Sequence, residues 1–239
     1  MSGAVLTLHH LPNSRSQRIV WLLEELQLPY ELVLHQPSPS AGLGVATLKP
    51  VHRLGKVPTL VDHSGPEPVV LAESGAIVEY LLVRHGHGRL QPPLAGTEGV
   101  RALYWRHFAE GSLMPYLAMK LVFAGVWQRT PWLLRPAVWP VVWSVNRFYL
   151  NPNLRTALDW MEQQLQGQTW LAGDTFSAAE VLMGFLLEAV VGRLTTADEY
   201  PNLHGLLARI QARPAYQQAL QRGQWSATQH ARHWAGLKY

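Results

Sequence analysis

An α/β thioredoxin-like N-terminal domain over residues 1–85 and an all-α C-terminal helical domain over 97–239 are predicted for this chain, joined by a linker over 86–96. Three observations carry that expectation. Short alternating apolar runs are confined to the first third, helical spacing alone follows residue 97, and a Gly-, His- and Pro-rich stretch separates the two. A length of 239 residues is also long for one core and comfortable for two unequal ones.

The elements follow in order. Leu6 and Leu8 flank Thr7, and Tyr30, Leu32 and Leu34 alternate with Glu31, Val33 and His35, so both runs read as strands. Between them Ile19, Leu22, Leu23 and Leu26 recur at helical spacing, with Glu24 and Glu25 outward and Pro29 barring continuation. Residues 37–44 form a Pro-, Ser- and Gly-rich loop ahead of a short helix near 45–48. Strands at 59–62 and 68–71 enclose the turn sequence HSGPE, and a helix starts near Glu73 with Ile77, Tyr80 and Leu81 on its buried face. The order β, α, β, loop, β, β, α is the thioredoxin-like plan.

Only helices are expected beyond the linker. A long one from Thr97 to about Gly125 contains Pro115, which should kink it. Asn151 and Pro152 read as an N-cap and first-turn pair, and Leu154, Leu158, Met161 and Leu165 mark one face of a helix ending near Gly167. Ser177 and Glu180 form a capping box, with Phe176 and Val181 placed to act as a staple. Pro201, Pro214 and Gly223 punctuate shorter helices after it. Residues 113–150 are apolar and rich in Trp, but Lys120, Arg129, Pro131, Arg135, Pro136 and Pro140 interrupt them before the roughly 20 residues a membrane span requires. Core packing, a dimer contact, an apolar substrate wall or an interfacial contact remain open for this stretch.

Composition excludes several chemistries. The chain has no cysteine, so disulfides, thiolate metal sites and cysteine nucleophiles are absent and any thiol chemistry must use a bound thiol. The net charge is +4, but the arginines are scattered singly rather than massed in a stripe, so no nucleic-acid partner is expected. The His85/His87 and His230/His233 pairs lack a third ligand at a recognisable spacing, so no metal site is expected. His9 and His10 end a strand and read as packing or loop residues. The N-terminus shows neither a basic patch nor an apolar signal core, which makes a cytoplasmic location the expectation.

Three segments carry candidate chemistry. Residues 13–26, NSRSQRIVWLLEEL, set hydroxyl and amide side chains at a helix start directly after a strand, where free N–H groups and the helix dipole favour an anion such as a thiolate. Ser14 is the preferred donor to it, with Ser16 and Asn13 as alternatives; a simple helix cap is the competing reading. Lowering a thiol pKa by about two units takes roughly 2.7 kcal/mol. A hydrogen bond to a charged group supplies about 1.5–3 kcal/mol and a helix terminus about 0.3–2 kcal/mol, so no base is needed. In residues 55–60, GKVPTL, Pro58 opens a strand after Val57; a cis bond would turn the Val57 backbone toward an extended peptide, and a trans proline at a strand start is the plain alternative. In residues 71–81, LAESGAIVEYL, Glu73 and Ser74 suit the α-ammonium and α-carboxylate of an amino acid, or form an ordinary N-cap.

Together and in this order, NSRSQRIVWLLEEL, LGKVPTL and LAESGAIVEYL resemble the glutathione transferase superfamily, and WLAGDTFSAAEVLM over 170–183 looks like its C-terminal capping element. The resemblance covers essentially the whole chain and is nearest to the serine-type branch typified by fungal transferases and their bacterial relatives. It implies glutathione as co-substrate, Val57 pairing with its cysteinyl backbone before a cis Pro58, Glu73 and Ser74 at its γ-glutamyl end, His52 and Lys56 near its glycyl carboxylate, and Ser14 at its thiol. It further implies a detoxifying homodimer that conjugates a small hydrophobic electrophile, with Tyr104 and Phe108 as candidate acceptor-site residues. Glutathione-dependent peroxide reduction and a non-catalytic binding module are the alternatives. Glu180 departs from the family's usual Asp, though either carboxylate can accept the same N–H.

Overall fold

A computed structural model describes residues 5–36 and 45–235. The loop expected over 37–44 lies outside the described residues. The N-terminal elements are β1 (Leu6–His10), α1 (Gln17–Glu25), β2 (Tyr30–Leu34), a 3-10 turn (Ala46–Leu48), β3 (Thr59–Asp62), β4 (Val69–Ala72) and α2 (Ser74–His85). They form one sheet in the order β2-β1-β3-β4, with β1 parallel to β2 and antiparallel to β3, and β3 antiparallel to β4. A parallel pair needs a crossover, and α1, with Ile19, Leu22 and Leu23 fully buried, provides it. β4 begins at Val69 because Pro68 has no N–H to give a ladder.

One buried carboxylate ties the sheet to α2. Asp62, at the end of β3, accepts from the Ser64 N–H at 2.7 Å, the Tyr80 hydroxyl at 2.8 Å and His85 Nε2 at 2.7 Å. Burial alone would raise its pKa, but the bonds from Ser64, His85 and Tyr80 outweigh it and hold the carboxyl well below the usual range. His85 thereby serves this network.

Residues 86–96 contain no helix or strand. The helices that follow are α3 (Thr97–Phe108), α4 (Met114–Arg129), α5 (Arg135–Val145), α6 (Asn151–Gln164), α7 (Ala178–Val190), α8 (Pro201–Gln211), α9 (Pro214–Arg222) and α10 (Ala227–His233). Two π turns, Ala109–Leu113 and Asn146–Leu150, join α3 to α4 and α5 to α6 without a break. The irregularity at Pro115 is thus a widened turn, in which the Met114 N–H bonds the Ala109 carbonyl. Asn151 corrects the sequence expectation. It is no N-cap: its neighbour Leu150 is helical, the Asn151 N–H bonds the Asn146 carbonyl, and its Oδ1 accepts from Lys120 Nζ at 2.8 Å. Pro115 and Pro152 each follow such a turn because a proline lacks the N–H and presses on the preceding turn, which a π turn widens.

The capping box of α7 forms as expected. Ser177 Oγ accepts from the Ala179 N–H, while Glu180 accepts from the Ser177 N–H at 2.9 Å and the Leu171 N–H at 2.7 Å. Burial raises the Glu180 pKa, and those bonds act against it. Every residue of α7 except Glu188 is buried, and the helix packs on α1 as well as α3. Gly184 makes the α1 contact possible, since a Cβ there would lie 2.8 Å from the Trp21 ring. Trp21 in turn meets Tyr216 edge-on at 5.0 Å and Phe176 at 5.8 Å. One apolar core therefore runs from Leu6 in the sheet to Trp234 near the C-terminus.

Candidate functional site

The sheet register gathers the three candidate segments. His9 lies opposite Thr59, and Thr59 opposite Ala72, so the loop after β1, the Val57–Pro58 pair before β3 and the Glu73–Ser74 pair after β4 leave the sheet at the same end. The Val57–Pro58 peptide is cis. Among the described residues, the Val57 N–H and C=O have no backbone partner. Glu73 is exposed and held at φ 76 and ψ 120, a backbone region that costs a non-glycine residue about 1–3 kcal/mol and concentrates at functional sites.

The ordinary N-cap reading of Ser74 does not hold. Glu73 occupies the cap position without a side-chain bond, and Ser74 is the buried first residue of α2. Its N–H is therefore one of the free donors at a helix start. His52 Nδ1 is buried without a hydrogen-bond partner among the described residues, and Lys56, four residues on, is exposed.

At the start of α1 a chain of hydrogen bonds fixes the serines. His10 Nε2 is 2.9 Å from the Gly223 carbonyl, Ser16 Oγ is 2.7 Å from His10 Nδ1, and Ser14 Oγ is 2.7 Å from Ser16 Oγ. A carbonyl only accepts, so Nε2 carries the imidazole proton. Burial pushes the His10 pKa down to about 4, which leaves Nδ1 bare near neutrality. Ser16 consequently donates to His10 and accepts from Ser14. Ser14 Oγ also accepts from the Ser16 N–H at 3.2 Å, which leaves one lone pair unused.

Burial separates the three candidates of the NSRS run. Ser16 is fully buried, whereas Ser14 is half-buried. Asn13 is committed to the C-terminal segment: its Oδ1 accepts from the Ser226 N–H at 2.8 Å and its Nδ2 donates to Gln229 at 2.7 Å. A neutral hydrogen bond is worth about 0.5–1.5 kcal/mol and one to a charged group about 1.5–3 kcal/mol. Turning the Ser14 proton from Ser16 to an anion is therefore favourable, and it leaves no donor of Ser16 unpaired.

The helical domain reaches this end of the sheet through Glu110. Its carboxylate pairs with Arg18, which is 1% exposed, and lies 4.0 Å from Arg15. A Cβ on Gly75 would stand 4.0 Å from Glu110 Cγ. Arg106, on the same side of α3, binds Glu79 of α2 at 2.7 Å. Tyr104 and Phe108 lie one turn apart on α3. Tyr104 accepts from Trp160 Nε1 of α6 at 3.1 Å, its ring packs on Trp105 and Phe108, and the helical repeat turns both residues away from Arg106 and Glu110. Arg18 and Glu110 went unmarked in the sequence and His10 read as a packing or loop residue, because Gly223 is 213 residues from His10 and Glu110 is 92 from Arg18. A concavity of about 640 Å³ between Glu24, Pro29 and Arg213 lies at the far end of α1 from Ser14.

Comparison with known proteins gives two family matches. Residues 14–82 match the family model "Glutathione S-transferase, N-terminal domain" and residues 127–214 match "Glutathione S-transferase, C-terminal domain". The chain is 33% identical to glutathione S-transferase 3 of Schizosaccharomyces pombe, over 88% of this chain and 85% of that one. It is 26% identical to a disulfide-bond oxidoreductase of Escherichia coli K12, over 92% of this chain and 96% of that one. A glutathione transferase from Burkholderia graminis, solved with two glutathione molecules bound per subunit, superposes with a TM-score of 0.71 at 26% identity, over 90% of this chain and 87% of that one.

Proposed function

This chain belongs to the glutathione S-transferase family, and from that premise we propose that it acts as a glutathione transferase using Ser14 to stabilise the thiolate. The observation that carries the reading is the sheet register, which sets Ser14, Val57 and Glu73–Ser74 at one end of the sheet. Glutathione is an extended tripeptide with an ammonium and a carboxylate at one end, a thiol in the middle and a second carboxylate at the other. The free Val57 N–H and C=O suit its cysteinyl backbone, and the exposed Glu73 carboxylate suits its ammonium. The α2 N-terminus at Ser74 suits the γ-glutamyl carboxylate. The unpartnered His52 Nδ1 and the Lys56 ammonium suit the glycyl carboxylate.

Ser14 fits both protonation states of the sulfur. Its unused lone pair can accept from a neutral S–H, and its hydroxyl proton, released from Ser16, can donate to S⁻. The protein's contribution is thus stabilisation of the thiolate and its positioning for attack. The acceptor is a small electrophile whose carbon takes the sulfur lone pair while its leaving group departs with the bonding electrons. Transfer to an aryl halide that disappears in Ser14→Ala and weakens in Glu73→Ala would support this function. Absence of glutathione-dependent turnover in the parent, with no heat on titrating glutathione, would point instead to a binding module.

A second reading follows from the resemblance to the disulfide-bond oxidoreductase: the same thiolate could attack a disulfide or a hydroperoxide. Because the chain has no cysteine, a disulfide reaction would take both exchanging thiols from glutathione. Assaying a small disulfide and a hydroperoxide beside the aryl halide separates the three. A homodimer is part of the proposal, and light scattering tests it.

A further inference from the structure

The tip where α4 meets α5 carries large apolar side chains outward. In the 3-10 turn Trp132–Leu134 the three residues are 75%, 69% and 58% exposed. One turn further along α5, the exposed Trp139 and Trp143 stack on each other with centroids 5.9 Å apart. Folded chains rarely leave this many large apolar side chains near one tip in water unless something covers them.

The charge around the patch is of one sign. No Asp or Glu occurs between residues 111 and 158, while Arg129, Arg135 and Arg147 are all exposed. Two of these guanidiniums ride on aromatic rings, Arg135 at 5.2 Å from Trp127 and Arg147 at 5.9 Å from Phe148. A second copy of the chain is a poor cover. A two-fold contact that packed this tip on itself would face like charge with like, because the stretch holds no carboxylate to set opposite its arginines. Tryptophan over leucine, rimmed by arginine, matches the boundary between acyl chains and phosphate headgroups, where indole rings settle and cations find anions. No helix among the described residues is long and apolar enough to cross a membrane, so the contact would be peripheral.

We propose that the α4–α5 tip is a docking surface for an anionic lipid bilayer, entered by Trp132, Leu133 and Leu134 while Arg129, Arg135 and Arg147 pair with headgroup phosphates. The full chain is sedimented with vesicles of phosphatidylcholine alone and of phosphatidylcholine with phosphatidylserine, at low and high salt. Binding is expected to the anionic vesicles only and to fall with salt. Each of Arg129→Ala, Arg135→Ala and Arg147→Ala should weaken it about fivefold, and the Trp132→Ser, Leu133→Ser pair should abolish it. Thermal unfolding and aryl-halide turnover of these variants serve as folding controls and should match the parent. Failure to sediment with anionic vesicles, equal sedimentation with neutral ones, or variants that bind like the parent would each overturn the proposal. So would a loss of dimer mass in the Trp132→Ser, Leu133→Ser variant of a parent that ignores vesicles, since the patch would then be covered by a second copy.

Discussion

Ser14 and His10 act through where their protons sit. In the proposed role Ser14 donates to the sulfur, so Ser14→Ala should raise the pKa of bound glutathione by about one unit or more, for a net loss of roughly 1.5 kcal/mol. The pH dependence of thiolate absorbance reads this directly, and an unchanged profile would remove Ser14 from the chemistry. His10 makes a different prediction. Its folded pKa of about 4 lies below the ordinary value, so between the two the unfolded chain binds a proton the folded chain refuses. Stability should therefore fall as pH drops through this window, by about 3 kcal/mol in total. Urea unfolding at neutral and mildly acidic pH should show a shallower loss in His10→Asn. The serine choice was half legible in the sequence. A hydroxyl run after a strand marks the place, but only burial tells Ser14 from Ser16, and only the Gly223 carbonyl fixes the direction of the hydrogen bonds.

At the scale of elements, end signals with a complete local partner set were readable and those without were not. Ser177 and Glu180 are three residues apart and satisfy each other, so the start of α7 follows from sequence. Glu180→Ala would leave the buried Leu171 and Ser177 N–H groups without acceptors and should cost about 3–5 kcal/mol, seen as a lowered thermal midpoint. Asn151–Pro152 has the same local grammar, yet the helix runs through it because Lys120 of α4 takes the asparagine oxygen. Asp62 adds an acid-side prediction at this scale. Its folded pKa is depressed, so its contribution is present above the ordinary carboxylate range and is lost as pH falls toward the folded value. That loss begins below the His10 window, and Asp62→Asn should remove it from the urea series.

Across the whole molecule the sheet and the helices share one core and several cross-ties, among them Arg18 to Glu110, Arg106 to Glu79, Arg213 to Glu25 and His10 to Gly223. Glu110→Ala would strand the buried Arg18 charge and should destabilise by about 3–5 kcal/mol, measured by urea unfolding. Tryptophan fluorescence and far-ultraviolet circular dichroism should then still report one shared transition, since Trp21 packs against α7 where Gly184 admits it. The sequence by itself determined the order of the strands and of the first helices, the capped start of α7 and the three segments that leave the sheet at one end, because alternation, helical spacing and capping pairs act over a few residues. Tertiary structure alone decided that Ser16 is buried while Ser14 is only half-buried, that Glu110 reaches the α1 start, that Tyr104 bonds Trp160 of α6, and that the tryptophans of the α4–α5 tip stay in solvent. Each of those depends on groups brought together from distant parts of the chain, and neither periodicity nor spacing encodes which of them meet.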